Sequence, residues 1–294
     1  MRTLTAMTVI TERARAKINL TLRVLGRRAD GYHLLESLIV FADVGDEVRF
    51  LPGAPPSVVM SGGYAGAITG RNLIDVTLER LAAADPGLTL GSVEVVKSLP
   101  IAAGIGGGSA DAAAVLRAVR RLNPSTTIDW NAVAASLGAD VPVCLADRSS
   151  FVWGVGEHIE PVEHLPRLDA VLVCPLAAAP LEKTRAVFRQ LSVPSIADAG
   201  APEPLPTFDG ADHLLAYMRG LGNDLRDAAH ALMFESAMAE AALAALPDCL
   251  YVSLSGAGPT TYGVFADAVR AKAAAERLRE NHQDWWIVAT TLGS

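Results

Sequence analysis

The chain has 294 residues, 51% of them hydrophobic, and its 25 basic and 32 acidic side chains leave a net charge of −7. That length holds two domains of ordinary size around a substantial core, while no apolar run reaches the roughly 18 residues of a membrane span. The acidic balance argues against a nucleic-acid surface.

The charge is uneven along the chain. Residues 1–28 carry seven basic side chains (Arg2, Arg13, Arg15, Lys17, Arg23, Arg27 and Arg28) against Glu12 alone. Such a patch suits a small anionic ligand, or is simply the solvated face of an edge strand. Residues 1–10 hold no long apolar stretch ahead of a small-residue cleavage site, so no secretory signal is expected. Cys144, Cys174 and Cys249 are isolated and lack metal-ligand spacing. They read as buried, reduced thiols of a cytoplasmic protein, and no protein-held metal is expected.

In chain order, apolar–polar alternation over 18–25 predicts a half-buried strand, and 28–31 is a turn signal. A strand over 38–42 is expected to pair as a hairpin with 46–51. Asn72 reads as the N-cap of a helix reaching residue 84, with Ile74, Leu78 and Leu81 on one face. A strand over 93–97 leads to a glycine-rich loop and a helix over 110–122, apolar nearly all round and so expected at the centre. A short helix over 131–137 is expected to be broken by Gly138-Ala139-Asp140-Val141-Pro142, and 151–153 pairs with 157–159 across Gly154-Val155-Gly156. In the second half the predicted elements are a strand (170–174), a helix (183–190), a proline-rich loop (194–209), a helix (224–246), two strands (250–255, 261–265), a helix (266–281) and a strand (286–290). This β-α-β-β-α-β order predicts a ferredoxin-like sandwich. A boundary near residue 160 gives two α+β domains, 1–160 and 161–294.

The loop Pro100-Ile101-Ala102-Ala103-Gly104-Ile105-Gly106-Gly107-Gly108-Ser109-Ala110 carries the most chemistry. Placed between a strand and a helix, it aims backbone N–H groups and a helix dipole at one point, which suits a phosphate. Glycine lets the chain approach the anion without a Cβ in the way. No Gly-Lys-Ser/Thr closes it, so it is not a Walker A loop, and it lacks the third glycine of a dinucleotide fingerprint.

Four further segments stand out. Lys17 opens an amphipathic strand, Tyr32 and His33 follow a turn, Asp140 lies in an apolar bend, and Ser255-Gly256-Ala257-Gly258-Pro259-Thr260 links two strands. Each alone has an ordinary reading: a solvated lysine, packing at a turn, a helix cap, a tight turn. Together with the glycine loop they resemble the GHMP kinases, over essentially the whole length. The segments Ala16-Lys17-Ile18-Asn19-Leu20, Asp30-Gly31-Tyr32-His33 and Gly138-Ala139-Asp140-Val141-Pro142 resemble the branch that acts on 4-diphosphocytidyl-2-C-methyl-D-erythritol in isoprenoid synthesis.

That resemblance implies a ribosomal S5-like N-terminal domain and a ferredoxin-like C-terminal one. It implies ATP along residues 100–110, with Asn72 and Lys97 as further nucleotide contacts and Mg²⁺ held mainly through the phosphates. Asp140 is implied as the group that takes the hydroxyl proton, with Lys17 beside it to offset phosphoryl charge. Tyr32, His33 and Phe188 are implied as readers of the cytosine, and Asn19, Thr184, Gly256 and Gly258 as further substrate contacts. The chain departs from the family in placing Ala102 and Ala103 where glycines are common and Ala110 where a second serine is common. Asp111, in the first helical turn, would repel phosphate unless Mg²⁺ or an outward rotamer intervened. A monomer or homodimer acting on this small molecule is the implied assembly. The other readings are a sister kinase acting on homoserine, mevalonate or a sugar, an S5-like RNA-binding protein, and, less well matched, a Rossmann oxidoreductase.

Overall fold

The computed structural model describes residues 8–68, 70–177 and 182–293. The strands and helices fall in two compact units that are interleaved along the chain. The first comprises the chain up to Ala16, Val44–Ile101 and Gly106–Asp147; the second comprises Lys17–Asp43, Ala102–Ile105 and the chain from Arg148 onward.

The alternating segment near the start forms two strands, β1 (Ile10–Asn19) and β2 (Arg23–Arg27), instead of one over 18–25. Leu22 leaves the strand ladder to bond with Gly222 and Asp224, through Leu22 N–H to Gly222 O (2.9 Å) and Asp224 N–H to Leu22 O (2.8 Å). The expected hairpin of 38–42 with 46–51 is absent. One strand, β3 (His33–Pro52), runs straight through both segments. Gly45, which looks like a turn residue, is there because a Cβ would collide with the backbone of Ala14.

In the first unit, the end of β3 (Glu47–Pro52) pairs antiparallel with β5 (Gly91–Val96), and β4 (Val58–Ser61) adds in parallel to β5. Helix α1 (Leu73–Ala84) starts at Asn72 as expected, with a full capping box between Asn72 and Asp75. Ile74, Leu78 and Leu81 on its inner face are buried, each contributing about 1.5–3 kcal/mol. Helix α2 (Gly107–Leu122) begins three residues earlier than its apolar run, inside the glycine loop, and is buried from Ala110 to Leu116. Helix α3 (Trp130–Leu137) ends at Gly138, but the bend that follows is not merely a break. It opens α4 (Val141–Ala146), with Asp140 at the N-cap position and Pro142 in the first turn. Proline is tolerated there because its missing N–H has no intrahelical partner anyway.

In the second unit, β2 and β6 (Ser150–Gly154) both pair with the start of β3, and β7 (His158–Pro161) pairs with β6 as the predicted hairpin. The C-terminal elements are β8 (Leu168–Pro175), α5 (Lys183–Arg189), α6 (Gly210–Leu221), α7 (Arg226–Leu232), α8 (Phe234–Ala244), β9 (Cys249–Leu254), β10 (Thr261–Phe265), α9 (Ala268–Asn281) and β11 (Trp285–Leu292). The strand order β11-β8-β10-β9 is antiparallel throughout, the arrangement of a ferredoxin-like sandwich. Ala239 and Leu243 of α8 and Ala271, Ala275 and Leu278 of α9 pack on Val171, Val173, Phe265 and Ile287 of this sheet. The single helix expected over 224–246 is two helices. Met233 leaves helical geometry (φ −133°, ψ 81°) and packs with Leu225, Ala229 and Leu254 in a second apolar cluster. Residues 194–209 form no helix or long strand, as predicted, although their start bonds to β2 through Ile196 N–H to Arg27 O (3.0 Å).

Among the described residues, no helix is long and apolar enough to cross a membrane. Cys144 and Cys174 are buried free thiols and Cys249 is partly buried.

Candidate active site

The glycine loop begins where β5 ends. In the first unit, its second part shapes the start of α2. Gly106 takes the left-handed conformation (φ 70°) at the N-cap and offers no side-chain acceptor. The first-turn amides of Gly107, Gly108 and Ser109 therefore have no intrahelical partner, and the turn closes only at Ala110 N–H to Gly106 O (2.8 Å). A Cβ added at Gly108 would meet open space. The result is a bare helix N-terminus of the kind that accepts an anion.

Beneath it lies a buried charge cluster that the motifs did not reveal. Lys97, at the exit of β5, is 2% exposed and its ammonium bonds both Asp46 and Asp111 Oδ2 (2.6 Å for the latter). The other oxygen of Asp46 accepts the amides of Ser98 (2.6 Å) and Leu99 (2.8 Å). Asp46 thus ties β3 to the first residues of the loop. Asp111 turns inward to Lys97, which answers the expected conflict with phosphate without either a metal or an outward rotamer. The nucleotide contact implied for Lys97 is left to a side chain already held by two carboxylates.

One ammonium facing two carboxylates leaves one negative charge in excess. Burial lowers an ammonium, but Asp111 and Asp46 outweigh it and hold Lys97 above the ordinary lysine range. Asp46 has hydrogen-bond donors on both oxygens, whereas Asp111 Oδ1 is buried without a partner. Burial, only partly offset by Lys97, pushes the Asp111 carboxyl up to about 7. The unfolded chain has lost this proton above about pH 4, while the native protein keeps it. Asp111 therefore contributes stability that is complete below about pH 4 and lost as the pH rises towards about 7. Asp111→Asn, which mimics the protonated acid, is expected to flatten this dependence. Wild-type melting temperature should fall relative to the variant as the pH rises from about 4 to about 7, the window between the unfolded and native titrations, and the difference should level off above it. A constant difference across that range would contradict the assignment.

Asp140 lies in the same unit, half-buried, and makes no cap bond to its own helix. Its position is fixed by neighbours. Val141 is fully buried, Arg117 Nη1 donates to Cys144 O (2.8 Å), and Arg15 Nε bonds Asp147 Oδ1 (3.0 Å) at the far end of α4. Arg15 is thereby a structural residue, and Arg28 is paired with Asp30 at 2.5 Å.

In the second unit, Lys17 is 4% exposed and donates to Asn19 Oδ1 (2.9 Å), while Asn19 Nδ2 donates to Ser37 Oγ (2.7 Å). Asn19 thus orients Lys17. Ala102–Ile105, the first part of the loop, is held by Lys17 N–H to Ile105 O (2.8 Å) and Thr260 N–H to Ala103 O (3.1 Å). Gly104 (φ 80°) is obligatory, since a Cβ would strike Gly258, and Gly256 (φ 55°) sits against Gly104 O and Asn19 Oδ1. Ala102 takes φ 55°, a conformation that costs an alanine about 1–2 kcal/mol and glycine nothing. Within this unit, Ala102–Ile105 and the segment 256–260 are one packed assembly.

The turn Arg28–Tyr32 leaves Tyr32 64% exposed, and His33 and Phe188 pack with ring centroids 4.8 Å apart. Burial, reinforced by Arg27, lowers the His33 imidazole below its ordinary range. A neutral ring both donates and accepts hydrogen bonds. Thr184 is exposed one turn before Phe188.

Family models for the GHMP kinases N terminal domain and the GHMP kinases C terminal match residues 72–148 and 220–284. A 4-diphosphocytidyl-2-C-methyl-D-erythritol kinase of Methylobacterium radiotolerans is 45% identical, covering 97% of this chain and 100% of its own. One from Cereibacter sphaeroides is 46% identical over 93% of this chain and 96% of its own. The chain belongs to the 4-diphosphocytidyl-2-C-methyl-D-erythritol kinases, within the GHMP kinases. A crystal structure of 4-(cytidine 5'-diphospho)-2C-methyl-D-erythritol kinase superimposes with a TM-score of 0.74 at 31% identity, covering 97% of this chain and 100% of that one. As a member of this kinase family the chain is a phosphotransferase. Asp46 and Lys183 are the residues near the family motifs that the sequence did not single out. Asp46 stands among Asp43, Glu47 and Arg49, so nothing in the sequence set it apart, and for Lys183 the only signal was adjacency to Thr184.

Proposed function

We propose that this chain transfers the γ-phosphoryl group of ATP to the 2-hydroxyl of 4-diphosphocytidyl-2-C-methyl-D-erythritol, in the non-mevalonate route to isoprenoids. The observation that carries the substrate is the His33–Phe188 pair beside exposed Tyr32. Aromatic faces suit a pyrimidine, and a neutral imidazole can match both the amino and the carbonyl group on its edge.

The triphosphate lies along residues 100–110, against the amides of Gly107, Gly108 and Ser109. In phosphoryl transfer the protein mainly positions groups and neutralises charge. Asp140 takes the proton of the accepting hydroxyl. Lys17, held by Asn19, offsets the charge on the transferred group. Asn72 Nδ2 remains for the nucleotide, since its Oδ1 caps α1. Thr184, Gly256 and Gly258 complete the substrate contacts. Among the described residues no group of three or more His, Cys, Asp or Glu is placed to hold a metal, and Asp111 is committed to Lys97. In this reading Mg²⁺ arrives with ATP, held mainly through the phosphates, and Ser109 is the hydroxyl that would help to hold it. When bound it neutralises phosphate charge. In this reading residues 1–160 supply the ATP loop, 161–294 the ferredoxin-like layer, and the protein acts in the cytoplasm as a monomer or homodimer.

The test is a phosphorylation assay over a panel of alcohols. The diphosphocytidyl substrate should be consumed, and homoserine, mevalonate and hexoses should not. Tyr32→Ala and Phe188→Ala should each raise its KM by about tenfold, the stacking loss of one base, with KM for ATP unchanged. Equal losses on both substrates would undo the cytosine assignment.

A further inference from the structure

Lys183 opens α5 and is 8% exposed, and its ammonium donates to the carbonyl of Gly258. That glycine packs directly on Gly104, and Gly256 two residues earlier touches the amide of Asn19, which holds Lys17. Lys183 therefore reaches into the assembly formed by Ala102–Ile105, the segment 256–260 and the first lysine.

Its electrostatics are unbalanced. The charged or ionisable groups acting on it are Cys174 and Lys17. Burial pushes the Cys174 thiol up to about 11, so at neutral pH it is uncharged. Lys17 is a like charge. Among the described residues no carboxylate pairs with Lys183. Burial brings its own ammonium down to about 8, which still leaves it mostly protonated at pH 7. A buried cation with one carbonyl for a partner and a second cation in range is costly unless an anion joins it.

We propose that Lys183 is a phosphate-binding residue, whose ammonium takes an oxygen of the diphosphate that follows the base read by His33 and Phe188. This rests on the substrate reading above. Phe188 lies five residues further along the same helix, about 7.5 Å along its axis. That rise is comparable with the length of a ribose, so in this proposal a base held at Phe188 has its diphosphate towards the start of α5.

The experiment compares binding of cytidine, CDP and a non-hydrolysable ATP analogue to the wild-type protein and to Lys183→Met, by calorimetry. CDP affinity should fall about tenfold or more, the loss of a charge-assisted hydrogen bond, with cytidine and the ATP analogue unchanged. KM for the diphosphocytidyl substrate should rise to match, and Lys183→Arg should recover part of the loss. Equal loss for cytidine and CDP, or no loss, overturns the proposal; loss confined to the ATP analogue overturns the diphosphate assignment. Should Lys183→Met fail to fold, the wild-type protein supplies the answer. CDP but not cytidine should protect Lys183 from acetic anhydride, and absence of protection overturns the proposal. Wild-type transfer to the diphosphocytidyl substrate alongside a variant that binds CDP normally sinks Lys183 alone. Absence of that transfer sinks the substrate reading itself.

Discussion

Asp140→Ala is expected to lower the rate of phosphoryl transfer by about 10²–10⁴-fold, the usual contribution of a positioned base. Affinity for a non-hydrolysable ATP analogue should stay the same. The separation is clean because Asp140 holds no cap bond on α4, so its removal forfeits no helix cap. The helix keeps its seat through Arg117 on the Cys144 carbonyl, Arg15 on Asp147 and the buried Val141. Asp140→Asn sharpens the result. It preserves shape and hydrogen bonding but cannot take a proton, so an orienting role would survive in it and a base would not. We expect Asn to be as inactive as Ala. Turnover at the wild-type rate in both variants would remove residue 140 from the reaction.

Asp46→Ala is expected to be the most destabilising single change, by about 3–5 kcal/mol, as for other broken buried ion pairs. In a chain of this size that is a fall in melting temperature on the order of 10 °C. Three losses coincide. Lys97 keeps only Asp111, the amides of Ser98 and Leu99 lose their acceptor, and a fully buried side chain leaves a void. Asp46→Asn retains an acceptor for the two amides and lets Asp111 ionise as the sole partner of Lys97, so its cost should be clearly smaller. A melting temperature for Asp46→Ala within 1 °C of wild type, about the precision of a scan, would show that the cluster is dispensable.

The elements that repeat a period are legible in the sequence alone. The inner face of α1, the strands of the C-terminal sheet and the order that makes it ferredoxin-like all follow from local pattern. The failures share a cause, which is that a local signal had a distant explanation. Gly45 looks like a turn and is instead the place where two backbones meet. Pro142 looks like a breaker and is a helix start. Met233 looks helical and is pulled aside by its apolar neighbours. Helix α6 went unseen because Gly210 precedes its apolar residues, although Leu214, Leu215 and Met218 carry the helical spacing.

The candidate site divides the same way. Lys17, Asp140, Tyr32, His33 and the glycine loop are legible because family motifs mark them. The groups that set their electrostatics are not. Asp46 meets Lys97 across 51 residues of chain and Lys183 meets Gly258 across 75, and no spacing rule reaches that far. Asp111 could be flagged as a conflict, but only the fold says which way it points.

The interleaving of the two units bears on how such a protein can change over generations. The chain passes from one unit to the other five times. A single recombination event between related genes therefore cannot exchange one unit whole. Wherever the crossover falls between Lys17 and Asp147, both units inherit pieces from two parents, and new variants must arise chiefly by substitution in place.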